Sequence, residues 1–260
     1  MQISSVSEKS KGILCFAYNT DTTDYVSIAQ RTLKLASRTL GLPYTLITDN
    51  PQDYDNQRYD ADTGKFVQWR NAGRYRAYDL SPYDETLVID ADFLIFNKTL
   101  VKVFELEFWD WQIMRDATGL TQQYPRDMGK NSLPYVWATA FAFRKTTKAQ
   151  AYFQLIQRIQ ENYGYYRALF NVEQRNFRND YAFAMADMAM NGYSINGPTT
   201  LLGPMLHVDT AVTSIVSRDN NFVIRDTDRA FVVPRTNMHV ISKAYLQSQQ
   251  FQEFMDHESA

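Results

Sequence analysis

The chain has 260 residues, 45% apolar and 22% charged, with a formal net charge of -2, enough apolar matter for one sizeable core or two tightly joined lobes. No run approaches the roughly 20 apolar residues of a membrane span, and the near-neutral balance excludes a protein coated in basic residues for indiscriminate nucleic-acid binding, leaving only local basic patches. The polar start Met1-Gln-Ile-Ser-Ser-Val-Ser-Glu-Lys-Ser10 has no apolar signal core and the single Cys15 lies in an apolar run, so a reducing, cytoplasmic setting without disulfides is expected.

Gly12–Tyr18 reads as a buried strand, Asn19–Asp24 as a polar loop, and Tyr25–Leu40 as a helix with Ile28, Leu33, Leu35 and Leu40 on its apolar side, stopped by Gly41. Pro43–Asp49 gives a second strand and Asn50–Lys65 an irregular polar stretch. Trp69–Leu80 follows as a helix broken by Ser81-Pro82, and within Glu85–Phe96 a buried strand of branched aliphatics ends in Asp90 and Asp92. This alternation predicts an α/β fold with a mostly parallel central sheet flanked by helices, whose ligands gather at the carboxyl ends of the strands. Asp49, Asp90 and Asp92 lie at such ends.

Further on, Trp111–Met114 and Trp137–Phe143 read as strands, separated by a loop, Arg115–Pro134, long enough for a lid. Thr147–Tyr163 and Asp180–Met190 read as helices. After Gly192 the chain reads as short strands and turns, among them Phe231–Pro234 and Met238–Ile241, a mixed α+β part. No Pro/Gly-rich linker, low-complexity tract or repeat divides the sequence, so residues 1–260 are expected to form a single domain.

The stretch Glu85-Thr-Leu-Val-Ile-Asp-Ala-Asp-Phe-Leu-Ile-Phe96 is the most informative, because an apolar strand carries two carboxylates one residue apart. On an extended chain such residues project to one side, and two unpaired acids there repel and resist desolvation. A shared divalent cation relieves both problems. The blander alternative is a turn cap beside a solvated acid.

Taken together, these segments resemble the GT-A glycosyltransferases, above all the metal-dependent group related to glycogenins and to the galactosyltransferases of lipopolysaccharide synthesis. The resemblance runs from Ile13 to about Lys243. Phe16-Ala-Tyr-Asn19 is similar to the family's nucleotide-contacting segment, and Asn71-Ala-Gly-Arg-Tyr-Arg-Ala-Tyr-Asp79 to the helix whose basic residue precedes the metal strand. Leu87-Val-Ile-Asp-Ala-Asp-Phe93 looks like the Asp-x-Asp strand, and Ala138-Thr-Ala-Phe-Ala-Phe-Arg144 like the strand lining the donor-sugar pocket. Asn179-Asp180-Tyr-Ala-Phe183 resembles the acidic start of the helix facing the reacting sugar, and Met238-His-Val-Ile-Ser-Lys243 the late segment that gives a His to the metal and a Lys to the diphosphate. A helix, Ser81-Pro-Tyr-Asp84 and an aliphatic Asp-x-Asp strand also follow each other as in glycosyltransferase-like proteins of tailed phages, whose setting is the host cytoplasm.

The resemblance implies a nucleotide-binding half at about residues 11–100 and an acceptor half at about 101–245. It implies transfer of a sugar from a nucleotide diphosphate, UDP by preference, to a hydroxyl. Asp90, Asp92 and His239 would hold Mn²⁺ or Mg²⁺ against the leaving diphosphate; an imidazole ligand favours Mn²⁺. Lys243, Arg74 or Arg76 would add positive charge there. Ala17, Tyr18 and Asn19 would meet the nucleotide, Tyr18 by stacking on its base, and Asp49 would accept from uracil or ribose. Each has a plainer reading: His239 is a satisfied core side chain, with His207 a rival metal ligand, Asp180 a helix cap, Arg70, Arg74 and Arg76 a solvated helix face, and Tyr18 a core residue. Retention of configuration is expected because no Asp or Glu stands at a telling base position after the metal strand; for inversion, Asp116 or Asp180 would serve.

Tyr163-Gly-Tyr-Tyr-Arg-Ala-Leu-Phe-Asn171 and Gln174-Arg-Asn-Phe-Arg178 interleave aromatics with arginines, and the loop adds Arg126 and Lys130, a mixture suited to phosphate contact and base stacking. A hydroxymethylated base in phage DNA therefore stands beside saccharides, lipid-linked sugars and protein hydroxyls as acceptor, the plainer reading of the segment being a tyrosine-rich carbohydrate groove or helix packing. The rival functions are a sugar nucleotidyltransferase, which would carry a Gly-rich basic loop where Asn19-Thr-Asp-Thr-Thr-Asp24 stands, and a catalytically silent sugar-nucleotide-binding or virion-associated module.

Overall fold

A computed structural model describes residues 9–48, 57–60, 64–68, 72–124, 127–128, 133–193 and 202–259. The chain opens with β1 (Lys11–Phe16), α1 (Tyr25–Leu40) and β2 (Tyr44–Ile47), followed by a hairpin of β3 (Gln57–Asp60) and β4 (Lys65–Gln68). A 3-10 turn, Ala72–Arg76, runs into the short α2 (Ala77–Leu80), then β5 (Glu85–Asp90) and β6 (Phe93–Leu94). β7 (Trp111–Met114), β8 (Ala117–Gly119), the paired β9 (Asp127–Met128) and β10 (Leu133–Pro134), and β11 (Trp137–Arg144) come next. Three helices, α3 (Thr147–Glu161), α4 (Tyr163–Leu169) and α5 (Asn179–Met190), precede β12 (Met205–Val208), β13 (Ser214–Arg218), β14 (Asn221–Arg225), β15 (Ala230–Pro234) and β16 (Met238–Val240). Two helices, α6 (Lys243–Leu246) and α7 (Gln249–Ser259), close the described chain.

The central sheet has the order β2-β1-β5-β11-β7. β1 runs parallel to β2 and β5, while β11 is antiparallel to both β5 and β7, so four of the five strands point one way. β1, β5 and β11 are buried along almost their whole length because helices cover both faces. Period-two alternation divides their side chains: Leu14, Phe16 and Val88 pack toward α3 and α5, while Ile13, Cys15, Leu87 and Ile89 pack toward α1. This is the expected fold class.

α1 occupies the range its periodicity predicts. Asp24 caps it by accepting from Ser27 N at 2.9 Å, and Gly41, at φ 71°, returns its N–H to Ser37 O, a left-handed turn that a side chain would strain. The helix serves two cores, since Ile28 and Leu35 join Phe251, Phe254 and Met255 of α7 under the β13-β14-β15 meander. A second sheet, β6-β16-β12-β8, lies beside the first, and a third core fills the space below it.

The acid-bearing strand ends at its carboxylates, as expected: β5 stops at Asp90, Ala91 and Asp92 form a turn, and β6 leaves for the second sheet. The turn is tied down by Thr32 Oγ1, which donates to Ala91 O at 2.8 Å, and by Val240 N, which donates to Asp92 O at 3.0 Å. Other expectations need correction. Within the predicted helix Trp69–Leu80, the described part is 3-10 before it is α-helical. The Arg115–Pro134 loop contains short strands. The last stretch, read as strands and turns, ends in α6 and α7, and α4 replaces what was read only as an aromatic and basic patch.

Candidate active site

β5, the turn after it and β16 bring three donors together. One ligand atom from each of Asp90, Asp92 and His239 lies within 4.8 Å of the others. Two carboxylate oxygens and an imidazole nitrogen are a donor set that suits a divalent cation of the Mn²⁺ or Mg²⁺ kind. His239 arrives there because β16 pairs with β6 and places it opposite Phe93, one residue beyond Asp92.

Each acid is also engaged by a cation of the chain. Arg74, from the 3-10 turn, pairs with Asp90 and donates to Ala138 O, and Lys243, at the start of α6, pairs with Asp92. His239 Nε2 stands 3.3 Å from Asp92 Oδ1. Burial pushes the Asp92 carboxyl up, but the His239 and Lys243 charges and their hydrogen bonds outweigh it and hold the group well below the usual carboxylate range. The neighbouring Cys15 thiol is pushed up to about 12, above all by burial, with the Arg74 charge opposing; it is a packed, neutral side chain rather than a nucleophile.

Two clefts meet at this cluster. The first, about 360 Å³, is lined by Phe16, Ala17, Tyr18, Thr20 and Tyr25 on one side and Asp92 and Lys243 on the other. Lys243 Nζ also lies over the Tyr25 ring, 5.8 Å from its centroid. The second, about 460 Å³, is lined by Tyr124, Tyr135, Trp137, Thr139, Arg178 and Asp180, with His207. Arg74, Asp90, His239 and Ile241 border both. Clefts of this size suit small-molecule ligands.

Of the residues singled out in the sequence, Ala17, Tyr18, Arg74, Lys243, Asp90, Asp92 and His239 line the first cleft and Asp180 the second. Asn19 instead takes up the start of α1, its Oδ1 accepting from Val26 N at 2.9 Å. Arg76 lines neither cleft among the described residues, and its Nη1 is buried without a hydrogen-bond partner. Asp116 is exposed between β7 and β8, outside both clefts, with its carbonyl accepting from Met205 N at 2.9 Å. Asp49, Arg70, Arg126 and Lys130 lie outside the described residues. Asp180 is not a cap: its Oδ1 accepts from Ala138 N across the second cleft at 2.8 Å, while Arg178 holds the N-cap position of α5.

His207, the rival ligand, stands behind His239, the two Nδ1 atoms 2.9 Å apart. Burial, and next the His239 charge, push its imidazole down to about 4. Tyr25, Tyr124 and Tyr135 went unmarked in the sequence. Tyr25 had a signal in its place at a helix start next to the polar loop; the other two sit in a loop with none.

No protein-family model and no curated protein sequence matches the chain. Among solved structures it is similar to the galactosyltransferase LgtC in complex with donor and acceptor sugar analogs, at 13% identity over 67% of this chain and 69% of that one, with a TM-score of 0.44. It is also similar to the glycosyltransferase GlyE of Streptococcus pneumoniae TIGR4, at 15% identity over 72% of this chain and 44% of that one, TM-score 0.42. A third likeness is to a glycosyltransferase involved in the glycosylation of the major capsid of PBCV-1, at 10% identity over 95% and 98% of the two chains, TM-score 0.39. At such depth the functional reading stands on the site itself.

Proposed function

We propose that the chain is a GT-A type glycosyltransferase that moves a sugar from a UDP-sugar to an acceptor hydroxyl. The observation that carries this reading is the convergence of Asp90, Asp92 and His239 at the rim shared by two clefts. A nucleotide diphosphate with its sugar is a ligand of two unlike halves joined by a pyrophosphate, and the two clefts join at the acids.

Asp90, Asp92 and His239 would hold Mn²⁺, or Mg²⁺, which neutralises charge on the departing diphosphate as a Lewis acid. Tyr18 and Tyr25 offer aromatic faces to the base in the first cleft. Lys243 and Arg74 stand at the junction, where they add fixed positive charge as the sugar–phosphate bond lengthens. In the second cleft, Asp180 is held by the Ala138 N–H and can oppose the positive charge that grows on the sugar ring. With Asp116 outside both clefts, and Asp180 held by the Ala138 N–H and assigned to the charge on the sugar ring rather than to a base's role, we assign retention of anomeric configuration. The whole chain then works as one domain, nucleotide on residues 11–100 and acceptor on residues 101–245.

For the acceptor, a saccharide hydroxyl is favoured over a base in DNA. The aromatic walls Tyr124, Tyr135 and Trp137 suit the apolar faces of a sugar ring. In the Tyr- and Arg-rich segment, Arg167 Nη1 donates to Val172 O and Glu173 O at 3.0 and 3.3 Å, and Tyr163 packs on Phe177, so these groups serve the local fold. No helix among the described residues is long and apolar enough to cross a membrane.

UDP release from a panel of UDP-sugars in the presence of Mn²⁺ tests the reading. Turnover should appear with at least one donor and vanish in Asp92→Asn at an unchanged melting temperature. UDP-sugar binding that neither needs the metal nor leads to turnover would move the chain to the binding-module class.

A further inference from the structure

β12 and β16 run parallel with His207 opposite His239 in register, which stacks the two imidazoles on one side of the second sheet. Their ring centroids are 4.9 Å apart and their Nδ1 atoms 2.9 Å apart. Two ring nitrogens at hydrogen-bond distance share one proton, so one donates and the other accepts. The other ring nitrogen of His239, Nε2, belongs to the group with Asp90 and Asp92. A cation is taken only by a lone pair there. The ring proton must then sit on Nδ1, facing His207, and His207 Nδ1 must accept it.

We propose that His207 is a positioning residue: it fixes His239 as the Nδ1–H tautomer and so presents the Nε2 lone pair to the cation, an inference that rests on the metal reading above. His207 is built to do this. It is 7% exposed, its ring lies 4.8 Å from Trp137 and 5.3 Å from Tyr124, and Tyr124 is itself anchored by donating to Asp209 Oδ2 at 3.2 Å. An imidazole so walled in has little freedom to turn away. The hydrogen bond behind a metal-binding His commonly goes to a carboxylate or a carbonyl, both permanent acceptors. Here the acceptor is a second imidazole, which accepts only while neutral at Nδ1.

The test is Mn²⁺ affinity, read from free-Mn²⁺ electron paramagnetic resonance, for the full chain and for His207→Asn, His207→Leu and His239→Ala. Asn keeps an acceptor oxygen close to the Nδ1 position in a smaller side chain, whereas Leu fills the space with no acceptor. The expected result is a loss of about 10- to 100-fold in His207→Leu and only a few-fold in His207→Asn. A role in packing alone predicts the reverse order, because Leu is the better space-filler. Equal affinities in the Leu variant and the parent overturn the proposal and leave the metal reading standing. If the parent itself holds Mn²⁺ no better than His239→Ala, both fall. Should the Leu variant not fold, imidazole ¹⁵N spectra of the parent with diamagnetic Mg²⁺ decide: His239 protonated at Nδ1 and His207 unprotonated there supports the proposal, and the opposite assignment overturns it.

Discussion

Asp180 and Arg74 grip the same residue from two sides: Asp180 Oδ1 accepts from the N–H of Ala138, and Arg74 donates to its carbonyl. Ala138 is released for this because β11 loses register with β7 between Trp137 and Phe141, and its pairing with β5 begins only at Ala140. A ladder irregularity thus positions both an acid of the second cleft and the cation that holds Asp90.

Asp180→Asn keeps the shape and removes the charge. Since the charge matters most when positive charge develops on the sugar, kcat should fall by about 10²- to 10³-fold while UDP affinity stays within a few-fold. Steady-state kinetics together with UDP titration check this; an equal loss in both would make Asp180 a binding residue.

Lys243→Met should separate two roles. Lys243 and a divalent cation both seek Asp92, so removing the ammonium relieves a competitor, and His239 remains beside the acid. Mn²⁺ affinity should hold or rise a few-fold, while turnover falls by about 10²-fold through loss of charge at the diphosphate. A drop in Mn²⁺ affinity would show that Lys243 organises the metal site rather than contending for it.

Much of this arrangement was legible locally. α1 was read to its ends because Asp24, an apolar stripe and Gly41 lie in one continuous window. The acids were visible because an apolar run ending in Asp-x-Asp is out of keeping with its surroundings. The course of the chain beyond them was not, since nothing local shows that Phe93 and Leu94 turn off to pair with β16. α7 escaped notice because its core stripe is only Phe251, Phe254 and Met255 in a polar segment. Tyr124 and Tyr135 reach the second cleft through tertiary folding, so an isolated loop tyrosine carried no sign of it. Asp116 erred the other way: it follows a strand, as site acids do, yet points to solvent.

His207 should leave a mark on acid stability. Its folded pKa, about 4, lies below the ordinary 6.5 because burial, then the His239 charge, disfavour the imidazolium. Between those values the unfolded chain binds the proton more readily than the folded one. Stability is therefore complete above about pH 6.5 and declines as the pH falls toward 4. Melting temperatures in EDTA across that window should fall less steeply in His207→Asn than in the parent; parallel curves would show that the imidazole is not the group responsible.

Thr32 tests how far the metal turn depends on α1. Its hydroxyl donates to Ala91 O at 2.8 Å from a fully buried position in the middle of the helix, the only side-chain tie from α1 to the Ala91–Asp92 turn among the described hydrogen bonds. Thr32→Val keeps the volume and leaves the Ala91 carbonyl without that donor, at a cost of about 1–3 kcal/mol. For a chain of this size that lowers the melting temperature by roughly 2–4 °C per kcal/mol. Thr32→Ser keeps the donor and should lose less. Because Asp92 follows Ala91 directly, Mn²⁺ affinity should weaken in the Val variant and recover in the Ser variant. If Val costs stability but leaves metal affinity at the parent value, the turn is held well enough by β16, through Val240 N on Asp92 O, and α1 supports the fold without tuning the site.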